Sequence, residues 1–154
     1  MTNILIGLHA GLGEMGVLSF LWCLVELLNP TDKRIKRAIV ASVIGTIFIF
    51  ASWMIGGYYY VEFYGDNVKP IIKEGPQSWA HGVVTETKEH VFLFLPFIAI
   101  LTTGLLMHHK RRLIQENALR KSIIKLCWLV VIIGFVMAAM GYVISSAFRT
   151  SIGG

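Results

Sequence analysis

The sequence predicts an all-α, polytopic membrane protein: four transmembrane helices in an antiparallel bundle, with both termini on the outer, non-cytoplasmic side. Three observations predict it. Of the 154 residues, 55% are apolar and 15% charged, with a mean hydropathy of +0.67. That is more apolar surface than a soluble domain of this size can bury. The apolar residues also gather into four stretches, each longer than the roughly 20 residues a helix needs to cross a bilayer core. Finally, ten of the fourteen cations fall in, or at the edge of, two of the three connections, a pattern that sets orientation.

The chain reads as one domain, residues 1–154, with spans at about 3–28, 38–63, 82–107 and 123–148. Helices are required because an open sheet would leave backbone groups unpaired in lipid. The first span is stopped by Asn29-Pro30-Thr31-Asp32, since proline cannot continue a helix. It has no basic segment before it and carries His9 and Glu14, so it is expected to stay in the mature protein rather than serve as a cleaved signal. The connection to the second span holds Lys33, Arg34, Lys36 and Arg37. The second span ends in Tyr58, Tyr59, Tyr60, Phe63 and Tyr64, an aromatic belt or a wall for a flat ligand. Residues 64–81, with Gly65, Asp66, Pro70, Gly75 and Pro76, read as a structured outer loop. After the third span come His108, His109, Lys110, Arg111, Arg112, Arg120, Lys121 and Lys125. The basic connections place themselves in the cytoplasm of a plasma (inner) membrane. The net charge of +5 is therefore a topology signal, and no nucleic-acid partner is needed to explain it.

The outer half holds the unexpected residues. Six of the nine acids (Glu14, Glu62, Asp66, Glu74, Glu86 and Glu89) and three of the five histidines (His9, His81 and His90) fall there. Ionisable groups inside a membrane are costly and mark functional positions. At 1.5 Å per residue, His9 lies roughly 9 Å into the first helix and His90 roughly 12 Å into the third, so the two imidazoles share a level. His9, Gly13 and Gly16 share a helix face, expected to leave a groove for a planar ring. Glu86 and His90 share a face at i, i+4, where the carboxylate is expected to accept the other N–H of a ligating imidazole. Two histidines at one level suit the iron of a bis-imidazole haem b. Four spans with this pair resemble the small membrane b-type cytochromes and haem-bearing anchor subunits. The resemblance is architectural and implies one-electron transfer, with a quinone or an external redox protein as exchange partner.

Other readings stay open. A non-haem metal site would draw on His9, Glu14, Glu86, Glu89 and His90, but the Glu-x-x-His spacing of di-iron bundles is missed by one residue. A cofactor-free structural subunit, alone as a homo-oligomer or within a larger complex, would use the small-residue faces Ala41/Gly45 and Gly134/Ala138/Gly141 for packing. His81, nine residues before His90, would face away from it on a regular helix and reads as a loop or interface residue. Glu26 is expected to pair with Lys36, Arg37 or Lys125. Cys23 and Cys127 are expected at one depth as buried fillers. Lys88 and Arg149 read as snorkelling cations or as partners for haem propionates or the acid cluster. No nucleotide loop or nucleophile motif is present, so an electron carrier fits better than a stand-alone enzyme.

Overall fold

A computed structural model describes residues 2–153. It is a bundle built entirely of helices and turns among those residues. Four stretches are long and apolar enough to cross a membrane: Ile4–Leu28, Asp32–Asn67, Ala80–His109 and Asn117–Ser151. The chain is an integral membrane protein of four such helices, as its composition requires.

Helix α1 (Thr2–Leu28) ends at the Asn29-Pro30 stop, and α2 (Asp32–Tyr59) begins just beyond it. Thr31 has extended backbone, and its hydroxyl accepts from the Arg34 N–H at 3.2 Å, an ordinary N-cap. The helix thus begins six residues before the apolar stretch, because the cap and not hydropathy decides its start. At the far end α2 runs into a π-helical turn, Tyr60–Tyr64, then α3 (Gly65–Asn67) and α4 (Lys69–Glu74).

Most of the segment expected as a loop over 64–81 is therefore helical. Gly65 adopts ordinary helical angles, and Pro70 sits in the first turn of α4, where its missing N–H has no partner to lose. The chain re-enters the bundle through a second π-helical turn, Ala80–Thr85, followed by α5 (Glu86–Phe92) and α6 (Phe94–His109). The break at Leu93 follows from Pro96, which has no N–H to offer the Phe92 carbonyl. Helix α7 (Asn117–Ser151) completes the chain, longer at both ends than the expected 123–148.

Helix α1 packs along α2 and against α7, and α6 also contacts both α2 and α7. The first and third spans thus lie across the bundle from one another. At the basal end, beside the basic connections, Phe20, Cys23, Leu27, Ile35, Leu106, Ile123, Cys127 and Val130 form a buried apolar cluster. At the distal end a separate cluster joins Tyr64, Ile72, Ala80 and Ala147. Lipid is as apolar as leucine, so helix association here relies on close fit and on hydrogen bonds. A Cβ on Gly45 would lie 2.8 Å from the Phe20 ring, and one on Gly16 would lie 2.7 Å from Ile49. Across α2 and α6, the Thr46 and Thr103 hydroxyls meet at 2.9 Å, and Thr103 donates to the Ser42 carbonyl at 3.2 Å.

Candidate functional site

His9 is half-buried and turned onto α2. Its Nδ1 lies 2.9 Å from the Ser52 carbonyl oxygen and 3.0 Å from Ser52 Oγ, while that hydroxyl donates to the His9 carbonyl at 2.7 Å. Gly56 makes this approach possible: a Cβ there would fall 2.6 Å from His9 Nδ1. The same face corrects the expected groove. Gly13 lies against Ser52, and Gly16 lies against Gly45 and Ile49. The space beside both glycines is filled by α2, leaving no slot for a planar ring. Their role here is close helix packing.

His90 lies on the opposite side of its span. Its Nδ1 is 2.6 Å from the Glu86 main-chain oxygen, so the expected carboxylate contact is replaced by a main-chain one. The ring is exposed, above a cleft of about 440 Å³ lined by Gly82, Val83, Glu86, Thr87, His90 and Val91. Every lining residue belongs to the third span. Lys88 shows why His9 does not join them: its Nζ is 3.2 Å from where a Cβ on Gly141 would stand, so it points into the bundle. Two residues at 3.6 per turn rotate the helix by roughly 200°, which carries His90 to the outside. Glu14 is exposed on α1.

The two π-helical turns create a site the sequence did not announce. Tyr64 and His81 are 4% and 3% exposed. The Tyr64 hydroxyl lies 3.0 Å from His81 Nδ1 and 3.0 Å from Thr85 Oγ1, and Thr85 donates to the Ala80 carbonyl at 3.0 Å. That last bond spans five residues and ties together the ends of the widened turn. His81 is thus buried in a helix, where a loop or interface position was expected. Two to three turns deeper, Trp53 stacks on Phe92 with ring centroids 5.8 Å apart. Trp53 Nε1 and Glu89 Oε1 are both buried without a hydrogen-bond partner among the described residues. The missed signal was register: Trp53, Tyr60 and Tyr64 are spaced i, i+7, i+11, one helix face, facing Thr85, Glu89 and Phe92.

The remaining charged groups hold structure. Glu26, 6% exposed, meets Arg34 Nε at 2.8 Å and Arg37 Nε at 3.1 Å, and accepts from Trp22 Nε1 at 3.1 Å. Lys36 and Lys125, the other expected partners, make no ion pair with it. Cys23 Sγ and Cys127 Sγ are 3.8 Å apart, at one level as expected. Gly134 takes the Val17 side chain, which supports packing for that face. His108 and His109 stand edge to face at the end of α6. In the connection that follows, hydrogen bonding to Arg112 holds the Glu116 carboxyl below its ordinary range, and the same bond raises Arg112.

Among the described residues, no three His, Cys, Asp or Glu side chains converge as metal ligands. No family model matches the chain, and comparison with curated proteins and with solved structures gives no match.

Proposed function

We propose that this chain is a small integral-membrane electron-transfer protein or subunit that carries haem b on histidine. It would lie antiparallel in the plasma membrane, with the basic connections cytoplasmic and both termini outside, following the placement of its cations. The observation that carries the haem reading is the state of the imidazoles. His90 Nδ1 is engaged by the Glu86 carbonyl and His9 Nδ1 by the Ser52 carbonyl. In a ligating histidine this contact fixes the tautomer and leaves the Nε2 lone pair available.

His90 is the better placed of the two, because its ring borders an open cleft. His9 and His90 face different sides of the bundle, so the geometry does not support their sharing one iron within one chain. His90 would supply one imidazole, and the far wall of the cleft, with any second ligand, would come from another subunit or a second copy. Gly82 keeps the helix surface low at the rim, and Glu86 and Thr87 are the polar neighbours. Bound there, haem would supply a one-electron carrier whose potential the low dielectric tunes.

The ligand count favours haem over the non-haem alternative. A protein metal site needs three or four side-chain donors, which the described residues do not bring together. Haem brings four nitrogens of its own and needs one or two. The visible spectrum of protein purified from a haem-supplied host tests this. A Soret band and reducible α bands are expected, lost in His90→Ala and retained in His9→Ala. Their absence from the wild-type protein would reject haem, and metal analysis would then separate a metal site from a cofactor-free structural subunit.

A further inference from the structure

We propose that two copies of this chain pair side by side in the membrane through the outward face of the third span, with Glu86 of each copy against His90 of the other. This goes beyond the reading above by naming what closes the open side of the His90 cleft, and its test does not use the haem.

His90 is set deep. Phe92, two residues on, stacks on Trp53, which lies fourteen residues inside the distal end of its membrane-spanning stretch at Asn67, or roughly 20 Å at 1.5 Å per residue. At that level an exposed imidazole faces lipid. Its Nδ1 donates to the Glu86 carbonyl at 2.6 Å, so Nε2 is the nitrogen left to pair. The Glu86 side chain is exposed beside it, about one turn away. Ionisable groups facing hydrocarbon are costly, so this face calls for cover.

The face also has the form of a helix-pairing seam. Glu86, His90, Leu93, Phe97, Ile100 and Gly104 follow one another at alternating steps of four and three residues, and all six are exposed. That is the spacing by which two helices meet along their length. Leu93 keeps right-handed helical angles, φ −66° and ψ −31°, so the row runs from α5 into α6. Nothing stands within 4 Å of where a Cβ on Gly104 would be, so a second helix can approach closely there.

The order of the polar groups selects a second copy as the occupant. Copies inserted the same way share their orientation, so their two-fold axis stands along the membrane normal and their third spans run parallel. In a parallel seam each residue meets the partner's seam residue one turn on as well as its own counterpart. An acid and an imidazole one turn apart are then self-complementary. Each Glu86 carboxylate meets Nε2 of the second copy's His90, and the two-fold makes the contact twice. Each contact shares one proton between acid and imidazole, so no net charge faces lipid. Acyl chains satisfy neither group. A haem iron would compete with the carboxylate for Nε2, so the pairing belongs to the haem-free protein.

The test uses the full chain, made without haem supply, in vesicles of zwitterionic lipid. Energy transfer between donor- and acceptor-labelled copies is followed as lipid dilutes them. Wild type is expected to associate to two copies and no further. His90→Glu sets four carboxylates together and should weaken association at least about tenfold, the loss of two hydrogen bonds to charged groups. The double variant Glu86→His, His90→Glu reverses the order but keeps one acid and one imidazole on each face, and should restore association to within about threefold of wild type. Leu93→Cys should crosslink between copies with a short bis-maleimide, and Tyr142→Cys, exposed on α7, should not. Every altered side chain is exposed, so the variants are expected to keep wild-type helicity by circular dichroism. Wild type that stays single or assembles beyond two, His90→Glu that associates like wild type, a double variant that stays apart, or equal crosslinking at 93 and 142 would each overturn the proposal. A Soret band in haem-supplied protein whose haem-free form stays single would sink this inference alone. Pairing that follows the charge order, with no Soret band, would sink the haem alone.

Discussion

Ser52 and His9 hold each other by main chain and side chain at once: the serine hydroxyl donates to the His9 carbonyl at 2.7 Å, and the serine carbonyl meets His9 Nδ1 at 2.9 Å. The serine hydroxyl and the ring nitrogen, two groups that would otherwise seek water, are satisfied inside a membrane span. The clasp depends on Gly56, where a Cβ would fall 2.6 Å from the ring. Gly56→Ala should therefore destabilise the protein by about 1–3 kcal/mol, the usual cost of overpacking, despite alanine's higher helix propensity. Gly11→Ala, where nothing lies within 4 Å of the added carbon, should be neutral or stabilising by up to about 1 kcal/mol. Unfolding of both variants in mixed micelles checks the contrast; equal stabilities would refute the clasp.

Tyr64 closes the distal network. Removing its hydroxyl leaves His81 Nδ1 and Thr85 Oγ1 buried with one partner fewer. Tyr64→Phe should cost about 1–3 kcal/mol, whereas Tyr58→Phe, on an exposed ring, should cost under about 0.5 kcal/mol. Thermal unfolding followed by circular dichroism distinguishes them.

Cys23 and Cys127, 3.8 Å apart at sulfur, report whether α1 and α7 touch. A membrane-permeant oxidant should join them within one chain, giving a faster-migrating band on a non-reducing gel. Cys23→Ala should abolish that band. A ladder of dimers with no internal crosslink would contradict the packing of α1 on α7.

Glu26 ties α1 to the basic connection through Arg34 and Arg37. Glu26→Gln leaves both guanidinium groups without their anion, and should lower the thermal midpoint more than Arg37→Gln, which leaves Glu26 its Arg34 partner. A smaller effect for the glutamate variant would show that the pair is ornamental.

The pH response of the third connection has a definite sign. Glu116 titrates below its ordinary value in the folded chain because Arg112 hydrogen-bonds to it. Its favourable contribution is complete above the ordinary carboxylate value and fades as pH falls through the lowered one. Arg112→Gln should return the Glu116 midpoint upward, read by carbon NMR of labelled glutamate. Global stability should barely change, because exposed ion pairs contribute little.

The four spans were legible because hydropathy and cation placement act over twenty residues at a time, and both are strong in this chain. Their ends were less so. Thr31 as an N-cap and Pro70 in a first turn are local chemistry that a hydropathy window averages away. The facing of His90 was lost for a different reason. Depth along a span follows from counting residues, but facing depends on regular 3.6-residue turns, and π-helical turns intervene at 60–64 and 80–85. The glycines near His9 were seen as special, and the reason for them, a neighbouring helix rather than a ring, needed the contacts. Tyr64 and His81 were taken one at a time, as belt and loop, since nothing in their spacing of 17 announces a shared hydrogen bond.

Each π-helical turn holds one residue more than the α-helical path it replaces, so each acts as a single-residue insertion absorbed without breaking the span. Deleting one residue from 80–85 would restore a regular helix and leave its two sides facing nearly as before, because a π turn sweeps about the same angle as an α turn with one residue fewer. What would go is the bulge itself: the Thr85 bond to the Ala80 carbonyl, which spans five residues, and with it the local placing of His81 against Tyr64. The extra residue is thus part of the site and not of the span, and a one-codon deletion here would spare the crossing of the membrane while dismantling the contact.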